Sequence, residues 1–207
     1  PVSLLVTTAI YDYCPEVIER IRDRGDEIVA HGRTNSETQD GLSEKDEVEL
    51  IAETTERITE EEGRPPEGWL GPWISETMKT PDILQENGYK YLLDWCHDDQ
   101  PTWMKTYGGE ILSVPYPQEL NDIPSIMVRK NSAEQFAKII IDNFDEMLEQ
   151  SRQQPLVMGI ALHPYIVGQP FRLKHLRNAL LHISRKREDI WFTTAGQIAA
   201  HARTVNI

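Results

Sequence analysis

Residues 2–31 read VSLLVTTAIYDYCPEVIERIRDRGDEIVAH, and this stretch decides the architecture. Val2 to Thr8 is a short β-rich apolar run, and a strand buried on both faces needs a neighbour on each side. Pro15 stands where the first turn of a helix tolerates it. Val17, Ile18 and Ile21 then recur at helical spacing up to a stop at Gly25. Glu27 to Ala30 (EIVA) is a second brief strand that ends at His31 and supplies one neighbour to the first. The other neighbour is expected upstream of Pro1.

The alternation continues. Ser43 to Glu62 predicts a long helix, with Ser43 as N-cap and Asp46 giving a shortened capping box. Val48, Ile51 and Ile58 are expected to face inward, and the acidic residues to form a solvated face. GRPPEGWLGPW, from Gly63 to Trp73, reads as a loop. Pro81 to Asn87 is a short helix closed by Gly88, and Tyr89 to Trp95 a strand. Asn131 to Gln150 is an amphipathic helix, and Leu156 to Leu162 (LVMGIAL) a buried strand ending at His163. A basic helix from Phe171 to about Arg187, a strand at Ile190 to Thr193 and a closing helix complete the chain. Strands alternating with helices predict one α/β domain over residues 1–207 with a mostly parallel sheet.

Composition narrows the function. The 207 residues carry 39% apolar and 27% charged side chains, as a globular domain does. A net charge of −13 leaves no basic footprint, so neither nucleic acid nor an anionic membrane is expected as partner. No apolar run reaches the length a membrane helix needs. The first residues show no leader peptide. Cys14 and Cys96 lack CxxC spacing and read as free thiols. A cytoplasmic location is the expectation.

In parallel sheets, chemistry collects at the carboxyl ends of the strands. Three such ends are unusually polar: His31 in IVAHGRTNSE; Asp94, Trp95, His97, Asp98 and Asp99 in LLDWCHDDQP; and His163 in GIALHPY. Singly, each has a plain structural reading: a loop histidine, turn chemistry before Pro101, a tryptophan lid over the core. Jointly they have what a hydrolytic pocket needs, an imidazole that moves protons near neutral pH, carboxylates to orient it and aromatics to exclude water. His175, His182 and His201 fall on helices and read as packing or surface residues. His31 and Asn35 stand four apart, where two histidines would offer two imidazoles to one ion. An asparagine amide is a poor ligand for zinc, so Asn35 reads instead as a hydrogen-bonding group for a polar substrate.

The stretch from Tyr13 to Glu37, YCPEVIERIRDRGDEIVAHGRTNSE, resembles the second block of the polysaccharide deacetylase (NodB-homology) superfamily, which leads into an HxxxH metal motif. ALHP, from Ala161 to Pro164, is similar to its last motif, whose histidine is the general acid. LLDWCHDDQP falls where the superfamily has a strand-end acidic and aromatic motif, and FTTAGQI, from Phe192 to Ile198, resembles its usual ending. The resemblance implies a distorted (β/α) barrel. The superfamily's first, Asp-bearing motif has no match in residues 1–207, so the resemblance implies a domain lacking its N-terminal part.

The departures resemble one branch. Asn35 replaces the second metal histidine, GWLGPW (Gly68 to Trp73) replaces an arginine motif, and DDQPTWM has the form of allantoinase-like and cyclic-imidase-like members. That resemblance implies a homo-oligomeric hydrolase that opens the C–N bond of a small cyclic amide, imide or ureide. His163 would then be general acid, and His31 would polarise the carbonyl or position the water. Asp98 and Asp99 would orient a ring N–H or hold the pocket loops. Asn35 and Asp94 would bind substrate, with Trp69, Trp73 and Trp95 walling a flat ring. No cofactor is preferred. The competing expectation is a metal-dependent N-acetyl polysaccharide deacetylase, with a divalent ion such as zinc on His31. A third is an inactive, incomplete domain kept for binding.

Overall fold

The computed structural model describes residues 1–205. In chain order the elements are β1 (Ser3–Val6), α1 (Ile10–Tyr13), α2 (Pro15–Arg24), β2 (Glu27–Ala30), α3 (Glu44–Glu62), β3 (Gly68–Trp69), α4 (Thr80–Glu86), β4 (Tyr91–Leu92), β5 (Thr102–Thr106), β6 (Gly109–Ser113), α5 (Ala133–Gln150), α6 (Pro164–Val167), α7 (Pro170–Ser184) and α8 (Ala195–Val205). A 3₁₀ turn lies at Pro72–Ile74 and a π-helical turn at Ile123–Val128. Among the described residues, no helix is long and apolar enough to cross a membrane.

The chain divides into two compact units. The first comprises Pro1–Trp95, Pro101–Val114 and the segment from Thr193 onward, and holds the six-stranded sheet. Its order is β1-β2-β3-β4-β6-β5, parallel except that β5 runs antiparallel to β6. The expected strand–helix–strand opening is present: Ser3 pairs with Glu27 and Val6 with Ala30, and α2 ends in a left-handed Gly25. A left-handed residue there closes the helix without a Cβ penalty, which is why the sequence stops it at glycine. Ile18, Ile21, Ile51, Trp69, Leu84, Leu92 and Ile111 form the core of this unit.

Helix α3 corrects one detail of the sequence reading. The buried face carries Glu47, Leu50, Ile51, Thr54 and Ile58, whereas Val48 is 40% exposed. The inward stripe follows steps of three and four from Glu47, and Val48 stands one residue off that line. Glu47, expected on the solvated face, is wholly buried and accepts hydrogen bonds from Gln39 Nε2 at 2.8 Å, Thr77 Oγ1 at 2.5 Å and Thr80 Oγ1.

The second unit comprises Cys96–Gln100 and Pro115–Phe192. Phe136, Ile140 and Phe144 of α5 pack with Leu176, Ala179 and Ile183 of α7. The strand expected at Leu156–Leu162 does not form; one parallel bridge, Asn121 to Ala161, is what remains of it. Pro117 lies against Gly159, its ring 2.9 Å from where a Cβ would stand, and Pro115 and Pro117 have no N–H to donate to a ladder. The segment Ile190–Thr193 likewise forms no ladder. The β5–β6 hairpin, closed by Tyr107–Gly108, is an element the sequence reading passed over.

Candidate active site

In the first unit the sheet's hydrogen-bond ladder runs out at β2, β3 and β4, and side chains continue it. Leu70 N–H donates to Ala30 O at 3.0 Å, and Leu93 N–H to Trp69 O at 2.9 Å. One step further, the His31 ring donates from Nδ1 to Leu70 O at 2.6 Å, and Gly71 N–H donates to Asp94 Oδ1 at 2.8 Å. Because a carbonyl can only accept, His31 carries a proton on Nδ1, and in the neutral ring the lone pair is on Nε2. Both residues are buried, each 9% exposed.

Around this pair stand two of the tryptophans. Trp95 is 47% exposed and donates from Nε1 to Glu76 Oε2 at 3.0 Å. Trp73 is exposed and donates from Nε1 to the backbone oxygen of Asn35 at 2.7 Å, so Asn35 anchors it by main chain while its own side chain is exposed. Trp69 is a core residue, wholly buried, with Nε1 on Gln39 Oε1 at 2.9 Å and its ring edge-on to Tyr89. It forms the floor of the unit's core. Gln39, Glu47 and Glu76, which hold this region together, were not legible as site residues.

Burial and the neighbouring Glu76 charge hold the Asp94 carboxyl well above the ordinary carboxylate range, against the lowering effect of the Gly71 N–H. Burial pushes Glu76 up to about 7, opposed by the Trp95 hydrogen bond and reinforced by Glu47. Glu76 Oε1 and Asp94 Oδ2 are buried without a hydrogen-bond partner.

The second unit holds the other histidine. Asp122, wholly buried, takes the His163 ring Nδ1–H on Oδ1 at 2.6 Å and the His163 backbone N–H on Oδ2 at 2.7 Å. Two bonds from one carboxylate fix both the imidazole's orientation and its tautomer, with the proton on Nδ1, and leave Nε2 as the atom that takes up and gives a proton. Asp122 donates its own N–H to Ala161 O at 3.2 Å, so the residual bridge places it beside His163. The sequence reading missed Asp122. It lies 41 residues before its partner, in NDIP, where an Asp ahead of a proline also reads as turn chemistry.

Asp98 and Asp99 sit in this unit on the exposed turn after Cys96. His97 and Asp99 have left-handed backbones, φ 45° and 56°. Asp99 lines a cavity of about 260 Å³ with Cys96, Glu119, Met147 and Met158, and its carboxyl is raised by partial burial and by the charges of Asp98 and Glu119. The carboxylate that binds His163 is Asp122.

A divalent ion such as zinc is held by three or four imidazole, thiolate or carboxylate groups. Among the described residues, no group of three or more His, Cys, Asp or Glu side chains is arranged to hold one. Position 35 offers only an exposed amide. Among the described residues, the donors present do not by themselves fit a metal; what these side chains offer is imidazole and carboxyl.

No family model matches the chain. A peptidoglycan deacetylase of Helicobacter pylori is 24% identical over 216 residues, which span 89% of this chain and 72% of that protein. Among solved structures, Puue allantoinase superposes with a TM-score of 0.88 at 26% identity, over 98% of this chain and 67% of its own. A probable polysaccharide deacetylase from Pseudomonas aeruginosa PAO1 gives 0.84 at 27%, over 98% of this chain and 68% of its own. The α/β fold expected from the sequence is thus shared along nearly the whole chain.

Proposed function

We propose that the chain, similar along nearly its whole length to proteins named as deacetylases and an allantoinase, is a hydrolase of the polysaccharide deacetylase (NodB-homology) superfamily that cleaves a carbon–nitrogen bond in a small cyclic amide, imide or ureide. The observation that carries the hydrolytic reading is the Asp122–His163 pair. A buried carboxylate on Nδ1 holds the ring so that Nε2 is aimed outward to pass a proton, the task of a general acid to a departing nitrogen. His31, protonated on Nδ1 by its bond to Leu70 O, presents a basic Nε2. That supports, of its two expected roles, the handling of water rather than polarisation of the carbonyl.

The reaction then balances without further groups. Water loses a proton to an imidazole Nε2 lone pair and adds to the ring carbonyl. The tetrahedral intermediate collapses, the C–N bond breaks, and His163 gives its proton to the leaving nitrogen. The product is a carboxylate with a free amide, ureide or amine end. The exposed indoles of Trp73 and Trp95 suit a flat ring, and Asn35 in place of an imidazole suits a site without a sugar deacetylase's ion. Likeness to an allantoinase structure supports the ring substrate.

The name of the Helicobacter pylori relative favours a second reading, deacetylation of an N-acetylated glycan. The two separate in one assay. Ring opening of succinimide, hydantoin and allantoin is followed beside acetate release from N-acetylglucosamine oligomers, each with and without chelator. Chelator-insensitive ring opening is expected. Acetate release without ring opening would transfer the function to the second reading, and turnover of neither class would overturn both. His163→Ala and His31→Ala should each lower kcat by about 10²–10⁴, the usual yield of a general acid or base.

A further inference from the structure

We propose that Asp94 is the positioning residue of His31, acting through the single peptide unit between Leu70 and Gly71. That peptide receives the His31 ring on its carbonyl oxygen, at 2.6 Å, and gives its N–H to Asp94 Oδ1, at 2.8 Å. In a trans peptide the C=O and N–H point in opposite directions, so imidazole, peptide and carboxyl form one line across the carboxyl ends of β2, β3 and β4. Hydrogen bonds in such a chain polarise one another: a carboxyl pulling on the N–H makes the carbonyl a better acceptor for the ring.

Three further observations bear on this role. Gly71 is the only residue type that fits, since a Cβ there would stand 2.1 Å from Ser75 O, 2.7 Å from Gln39 Oε1 and 3.0 Å from Asp94 Oδ1. The peptide is therefore clamped in the orientation that serves both side chains. Asp94 is buried, so its carboxyl acts on the peptide without screening by bulk water. The Glu76 charge acts on the Asp94 carboxyl, and Glu76 is itself tied to Trp95 and raised by the charge of the buried Glu47. The charged and titratable groups acting on Asp94 are thus Glu76 directly and Glu47 through it. The proposal moves Asp94 from ligand binding, where the sequence placed it, to the machinery that holds a reacting imidazole. It rests on the hydrolytic reading for its purpose but not for its first test.

That test reads the His31 ring in long-range ¹H–¹⁵N spectra, its signals identified by their loss in His31→Asn. The expected wild-type pattern is the Nδ1–H tautomer alone in the neutral ring. Asp94→Asn, which keeps an acceptor for Gly71 N–H, should retain that tautomer while the Gly71 amide proton moves upfield. Asp94→Leu, which removes the acceptor, should give a mixture of tautomers. A single Nδ1–H tautomer in Asp94→Leu would overturn the proposal. If that variant does not fold, Asp94→Asn decides: His31 ring signals that stay fixed while the Gly71 amide shifts would overturn it equally. In turnover, Asp94→Asn is expected to lower kcat several-fold with KM little changed. A wild-type protein inactive on every amide, with the tautomer pattern as expected, would count against the hydrolytic reading alone.

Discussion

Gly71 has no room for a side chain, and the obstruction is backbone. Of the atoms a Cβ would meet, the Ser75 carbonyl at 2.1 Å belongs to the same tight loop and cannot rotate away. Gly71→Ala should therefore cost about 1–3 kcal/mol, the range for forcing a methyl into a packed site. It should also break the line from Asp94 to His31, so activity falls further than stability explains. Urea denaturation and kcat measured on the same preparation check this. A stable but inactive variant would locate the damage in the peptide's orientation, and an active one would free His31 from its dependence on that peptide. At Asp122 the logic is different. Asp122→Asn keeps the shape and an acceptor for one of the two His163 bonds, but puts an amide NH₂ where the other bond needs an acceptor. The expected result is a folded protein with kcat lowered about 10²-fold or more, visible in any ring-opening assay.

At the scale of elements, the loop from Gly71 to Ser75 is where the chain departs furthest from relaxed geometry. Trp73 and Ile74 both have left-handed backbones, φ 63° and 57°, which costs roughly 1–2 kcal/mol for each non-glycine residue. Five hydrogen bonds hold them there: Ile74 N–H to Gly71 O, Ser75 N–H and Oγ to Pro72 O, Gln39 N–H to Ser75 Oγ, and Trp73 Nε1 to Asn35 O. The strain keeps an exposed indole near the end of β3. Ile74→Gly relaxes one of the two residues while loosening the loop. Its unfolding free energy should stay within about 1 kcal/mol of wild type, because relief of the left-handed cost offsets glycine's added chain entropy. Over the same change kcat/KM should fall. Ile83→Ala in α4, buried and unstrained, is the contrast and should cost about 2–5 kcal/mol.

Elements also show what could be read from the sequence and why. The opening β1–α2–β2 unit was legible because period and punctuation agree: apolar runs, Pro15 at a helix start, Gly25 at its end. So were α3, whose Ser43 cap has the expected side-chain bond, and α5, at whose start the structure adds a Ser132 capping box. LVMGIAL was misread because a short apolar run has the same signature in a strand and in buried irregular chain. What decided it was two prolines some forty residues upstream. His31, His163 and Asp94 could be picked out because each follows an apolar run. Asp122 could not, since its meaning comes only from a partner distant in sequence. Glu47 was hidden for the opposite reason, one acid among many on a helix whose acids are mostly solvated.

For the whole molecule, the charge of −13 and the buried carboxyls act on stability in the same direction. Glu76, Asp94 and Asp99 are all held above the ordinary carboxylate range. A raised carboxyl binds its proton more tightly folded than unfolded. It therefore favours the folded state below its unfolded pKa, and that advantage is lost as pH rises through the folded one. For Glu76 the window runs from the unperturbed 4.5 to about 7. Across it each proton contributes a slope of at most about −1.4 kcal/mol per pH unit. Growing net repulsion among surface carboxylates adds a second downward slope, but over lower pH and through water, where about 0.1 M salt screens beyond roughly 10 Å. The two contributions separate experimentally. The urea midpoint should fall between pH 5 and 7.5, and raising the salt should remove only part of that fall, because the Glu76–Asp94 pair is buried. Glu76→Gln should flatten the remaining slope at every salt concentration. A midpoint that rises over this interval, or a Glu76→Gln variant with the wild-type slope, would mean that the Glu76 carboxyl is solvated in the folded protein and does not share Asp94's buried surroundings.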